Sequence, residues 1–115
     1  MPFDPEQFLA LAHDLAGADR AHEAAFRSAI SRAYYAVFLK ARASLEHSGR
    51  LQPTYTGRDH ALVIATLRAD GGAQGDQLDK LRQDRARADY RLNLEMTRRN
   101  ADDVLFRAQH LIKRV

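Results

Sequence analysis

Apolar residues along this chain recur at intervals of three and four, and no stretch keeps up a period of two. That is the signature of helices packed by one face, not of strands. Asp4 followed by Pro5 reads as a helix cap and first position, after which Phe8, Leu11, Ala12 and Leu15 fall on one side and Gly17 stops the turn. Asp19 is placed to cap a second helix running to about His47, with Gly49 just past its end. The segment GRLQPTYTGR (49–58) is rich in turn formers. A third helix is expected over about 59–69, with His60, Ile64 and Leu67 in line, and ADGGAQG (69–75) breaks it as a flexible connector. A fourth, about 76–91, sets Leu78, Leu81, Arg85 and Ala88 on one side. Thr97 caps a fifth, on which Ala101, Leu105, Ala108, Ile112 and Val115 repeat. The pattern predicts one all-α domain over residues 1–115, an up-and-down bundle of four main helices and one shorter helix.

The second helix departs from a simple amphipathic stripe. Phe26, Ile30, Ala33, Tyr34, Val37, Ala41 and Leu45 make a broad apolar face, while Ala25, Ala29, Ala36 and Ala43 make a second face of small residues. A helix covered in this way on most of its circumference reads as a central one, packed on several sides. Arg32 lies in the middle of the alanine face, so the pattern predicts that its guanidinium is buried and therefore paired. Asp89 is the expected partner. Arg85, one turn before Asp89, and the hydroxyls of Tyr35 and Tyr90 complete the expected network.

Composition narrows the chemistry. At 115 residues the chain suits one core. It has no cysteine, hence no disulfide framework or thiolate site, which suits a reducing, cytoplasmic setting. MPFDPEQF has neither the basic nor the apolar region of a signal peptide, and no segment reads as a membrane span, so no membrane association is expected. Net charge is +3, and the segment 79–99 alone holds seven basic against four acidic residues. Arginine dominates the basic set, which fits an anionic partner as well as an arginine-rich codon bias. The histidines at 13, 22, 47, 60 and 110 form no metal-ligand spacing, and phosphate-binding glycine motifs are missing, so neither metal nor cofactor is expected. Arg98 and Arg99 open the fifth helix, against the preference of its dipole.

At SRAYYAVFLKARASL (31–45), the histidine at 60 and RARADY (85–90), the sequence resembles the HEPN domain, in particular small stand-alone prokaryotic HEPN proteins. The resemblance implies a helical bundle that commonly forms a homodimer. It also implies a nucleotide- or RNA-binding role in a toxin–antitoxin or defence system, with a minimal nucleotidyltransferase as the antitoxin partner. Catalytic HEPN members are metal-independent ribonucleases carrying an arginine followed four to six residues later by a histidine. RARADYRLNLEM contains no histidine, and the Arg42–His47 spacing falls on the wrong helix. Binding is therefore the expected activity, with a dimeric ribonuclease toxin as the alternative. The candidate catalytic residues are Arg85 and His60. Ser31, Arg32, Tyr35, Arg85, Asp89 and Tyr90 are the candidate nucleotide- or RNA-binding cleft.

Overall fold

The computed structural model describes residues 3–115. Its elements are α1 (Glu6–Gly17), α2 (Glu23–His47), α3 (Arg58–Ala69), α4 (Gln74–Tyr90) and α5 (Arg98–Leu111), with no strand among the described residues. The all-α bundle is therefore as the periodicity predicts. Helix α2 is the axis of the molecule and packs against each of the other four. Its small residues make this possible: Ala29, Ala33, Ala36 and Ala41 are buried, and their short side chains let neighbouring backbones approach. Tyr34, Val37 and Phe38 fill the spaces between them.

The helix ends follow local chemistry where the sequence supplies it. The Asp4 carboxylate accepts a hydrogen bond from the Glu6 amide at 3.0 Å. Thr97 and Asn100 form a reciprocal capping box at the start of α5. At the end of α2, Gly49 takes φ +75°, and the Gly49 and Arg50 amides reach back to the Glu46 and Leu45 carbonyls. That pattern closes a helix with a left-handed residue, which glycine adopts without strain.

Three local readings need correction. Asp19 does not cap α2, which begins four residues later at Glu23 behind His22. Leu11 is exposed, and α1 instead buries Leu9, Ala12 and Ala16. The connector between α3 and α4 is shorter than expected, because Gln74 and Gly75 belong to the first turn of α4. Gly75 is not there for flexibility. A Cβ at that position would lie 2.5 Å from Arg68 Cγ, 2.8 Å from the Arg68 amide nitrogen and 2.9 Å from the Ile64 carbonyl oxygen.

Two arginines that the periodicity did not single out tie the bundle together. Arg27, nearly covered, donates to the Ala88 carbonyl at 2.8 Å and also to those of Arg91 and Leu94, closing the end of α4 from α2. Arg98 donates to the Ala16 and Ala18 carbonyls at the end of α1, and its guanidinium lies over the Phe26 ring. Its place at the start of α5 is explained by the α1 terminus it serves. No helix among the described residues is long and apolar enough to cross a membrane.

Candidate functional site

The expected buried pair between Arg32 and Asp89 does not form. Arg32 is exposed and has no ion-pair or hydrogen-bond partner among the described residues; its guanidinium lies 5.4 Å from the centre of the Phe8 ring. The alanine face is covered only in part, since Ala29 and Ala36 are buried while Ala43 is exposed. Arg32 emerges where the neighbouring helices leave α2 open. A buried arginine would have needed a partner; an exposed one does not.

Asp89 is held instead by its own helix and by Ser31. Its Oδ2 lies 3.0 Å from Arg85 Nε and accepts the Ser31 hydroxyl at 3.1 Å. The Arg85 contact is an ion pair without the alignment of a hydrogen bond, and Arg85 Nε has no other partner. The Arg85 guanidinium lies 5.7 Å from the centre of the Tyr90 ring, which is exposed. The hydroxyls of Tyr35 and Tyr90 take no part in the Asp89 network. Tyr35 contributes its ring, 6.1 Å from Phe8 and 6.2 Å from Phe38.

His60, in the first turn of α3, faces inward. Its ring stacks on Phe38 with centroids 4.1 Å apart, and Nδ1 lies 2.6 Å from the buried Tyr34 hydroxyl. Burial holds His60 below its ordinary value, and the positive charges of Arg82, Arg85 and Arg42 add to the effect, with Asp59 opposing. Burial likewise raises the Tyr34 hydroxyl, against the influence of Arg82 and Arg85. Tyr34 therefore stays protonated and His60 neutral near pH 7. The same two arginines act on both groups, so α4 brings its positive charge close to the His60 end of α3.

Beside His60, the buried Asp59 organises the loop before α3. It accepts hydrogen bonds from the Thr54 amide and hydroxyl, the Tyr55 amide and Arg42 Nη1 at 2.6–3.0 Å. These bonds, the Thr54 hydroxyl foremost, hold its carboxyl down at about 2 although burial opposes them. The cage fixes Tyr55 at φ +57°, a left-handed conformation unusual for an aromatic residue. The Arg42 guanidinium is thereby sandwiched, 4.9 Å from the Tyr55 ring centre and 5.2 Å from that of Phe38.

Two groupings result. Ser31, Arg85, Asp89 and Tyr90 form one chain of contacts between α2 and α4. Tyr35 and His60 border a second cleft, under the 54–57 loop. Arg32 is joined to Tyr35 only through the Phe8 ring. Sequence reasoning passed over Arg82, which shares the face of Arg85 at a spacing of three, and set Arg42, one turn after Phe38, aside with its misplaced spacing to His47. Asp59 and Tyr55 carried no periodic signal. No group of three His, Cys, Asp or Glu among the described residues could hold a metal ion. In comparison with known proteins, the family described as the HEPN domain matches residues 6–115. No curated protein and no solved structure matches the chain.

Proposed function

The chain belongs to the HEPN domain family, and we propose that it binds a nucleotide or RNA on the face shared by α2 and α4. The observation that carries this reading is the state of Arg85. Its guanidinium has one carboxylate partner, reached through the buried Nε, and an exposed tyrosine ring beside it. Arg32 and Arg82 add positive charge without any ion-pair partner among the described residues. Guanidinium groups suit phosphate through charge-assisted hydrogen bonds, and the neighbouring ring suits a base through stacking. Ser31 and Asp89 hold Arg85 in register and Tyr90 is its exposed aromatic edge, while Arg32 and Tyr35, outside that chain of contacts, meet more distant parts of the ligand. In this reading the protein acts in the cytoplasm as a homodimeric member of a toxin–antitoxin or defence system, with a minimal nucleotidyltransferase as partner. The whole of residues 1–115 serves as one HEPN domain.

The second reading is a metal-independent ribonuclease acting as a dimer. Its candidate base is His60, held neutral by burial with Nδ1 2.6 Å from the Tyr34 hydroxyl, in place of the histidine that α4 lacks. Arg85 would then stabilise charge on the phosphate. One experiment separates the two. The purified protein is mixed with end-labelled RNA in EDTA, and binding and cleavage are followed for wild type, Arg85→Ala and His60→Gln. Binding without cleavage, lost in Arg85→Ala, supports the first reading. Cleavage lost in both variants supports the second. RNA and nucleotide binding unaffected by Arg85→Ala overturns the assignment of the face.

A further inference from the structure

Beyond the Arg85 face lies a cleft of about 440 Å³ bordered by Tyr35, Phe38, Arg42, Tyr55 and His60. Tyr35, Phe38 and Tyr55 contribute aromatic rings and His60 an imidazole, and Thr56 and Gly57 complete the lining. Tyr55 leaves 66% of its surface exposed, yet its backbone is held in a left-handed conformation. Such strain persists only where the surroundings impose it. Here they are identifiable: the Asp59 carboxylate binds the Tyr55 amide and both donors of Thr54, and the Tyr55 hydroxyl donates to Glu46 at 3.0 Å. An exposed ring gains little for the fold by being fixed so firmly. What the fixing achieves is placement. The Arg42 guanidinium lies between the Tyr55 and Phe38 rings, and the rest of the Tyr55 ring is open to solvent.

We infer that Tyr55 is a preorganised stacking platform for an unpaired nucleobase, a base subsite separate from the Arg85 phosphate site. The inference rests on the nucleotide- or RNA-binding reading of the Arg85 face. A nucleotide strand that meets Arg85 and Arg82 with a phosphate would place another of its bases against Tyr55. Arg42 is not a phosphate ligand in this arrangement, because Asp59 neutralises it. Its role is to support the tyrosine from behind. The ring is rigid before the ligand arrives, so little rotamer freedom is lost on binding.

The test uses a short single-stranded oligoribonucleotide carrying 2-aminopurine, whose fluorescence falls when the base stacks. Tyr55→Gly removes the ring while suiting the left-handed backbone, so the loop keeps its course. Tyr55→Phe keeps the ring and loses the Glu46 hydrogen bond. Quenching is expected with wild type and Tyr55→Phe. Tyr55→Gly is expected to lose the quenching and to bind roughly ten- to hundred-fold more weakly, as for deletion of a base-stacking aromatic ring. If Tyr55→Gly binds and quenches like wild type while Arg85→Ala loses binding, the platform is refuted and the Arg85 reading stands. If Tyr55→Phe fails as Tyr55→Gly does, the hydroxyl is what matters and the platform is again refuted. If wild type binds neither RNA nor nucleotide, both readings fall together.

Discussion

Replacing Gly75 by alanine tests how the two helices that carry His60 and Arg85 are spaced. In an open helix interior the change gains up to about 1 kcal/mol, because alanine is the better helix former. At Gly75 the added Cβ meets the Arg68 amide nitrogen at 2.8 Å and the Ile64 carbonyl at 2.9 Å. Both atoms are backbone, so relief requires α3 and α4 to separate. Overpacking of this kind costs roughly 1–3 kcal/mol, and the forced movement of backbone places it in the upper half of that range. The net expectation is destabilisation by about 1–2 kcal/mol, a fall in Tm of about 4–8 °C in a chain of this size. Gly72 supplies the control, since nothing lies within 4 Å of its Cβ position and its backbone is not left-handed. Gly72→Ala should be neutral or stabilise by up to about 1 kcal/mol through the unfolded chain. Urea and thermal melts of the two variants beside wild type decide the matter. Equal stability of Gly75→Ala and Gly72→Ala would refute the reasoning, and the close approach of α3 and α4 would then have no bearing on the spacing of the site.

Arg27→Ala should cost about 2–3 kcal/mol by stripping a guanidinium from the carbonyls at the end of α4, whereas exposed Arg32→Ala should stay within about 0.5 kcal/mol. Chemical denaturation of both variants checks the pair, and a large loss for Arg32→Ala would restore a structural role for that residue. Stability should also fall with acid in two stages. His60 is depressed below 6.5 in the fold, so the unfolded chain binds the extra proton, and stability present above pH 6.5 declines as pH drops through that value. Asp59 is depressed from 3.8 to about 2, so its contribution is present above pH 3.8 and is lost as pH falls toward 2. Thermal melts across pH 7.5–2.5 should show the first decline vanish in His60→Gln, and its persistence there would assign it elsewhere.

The helices were legible because their causes are local. Spacing of apolar residues, the Thr97 cap, and Gly49 after α2 are contained within a few residues of the effect they have. The pairing of Arg85 with Asp89 was legible for the same reason, one turn apart on one helix. The start of α2 was not, because Asp19 is an acceptable cap by composition and the chain passed it by. Such ends are decided by where the preceding helix leaves the backbone, not by the capping residue alone.

Arg32 marks the boundary between the two kinds of information. Helical periodicity places it among alanines but is silent on which side of a central helix the neighbours leave uncovered; alanine occurs in buried and open positions alike. Only the packing of the other helices around α2 exposes Arg32, and only that packing brings Ser31 to Asp89 and Tyr34 to His60, pairs separated by 58 and 26 residues. Tyr55 is the extreme case. Its backbone conformation comes from a carboxylate that is buried by the fold and aimed back at the loop before α3. The sequence by itself determined a helical bundle, its central helix and the identity of the charged and aromatic residues, because periodicity and capping act over one or two turns. The tertiary structure decided which of those residues are tied up in helix ends and which are free to meet a ligand, because that depends on distances between segments remote in the chain.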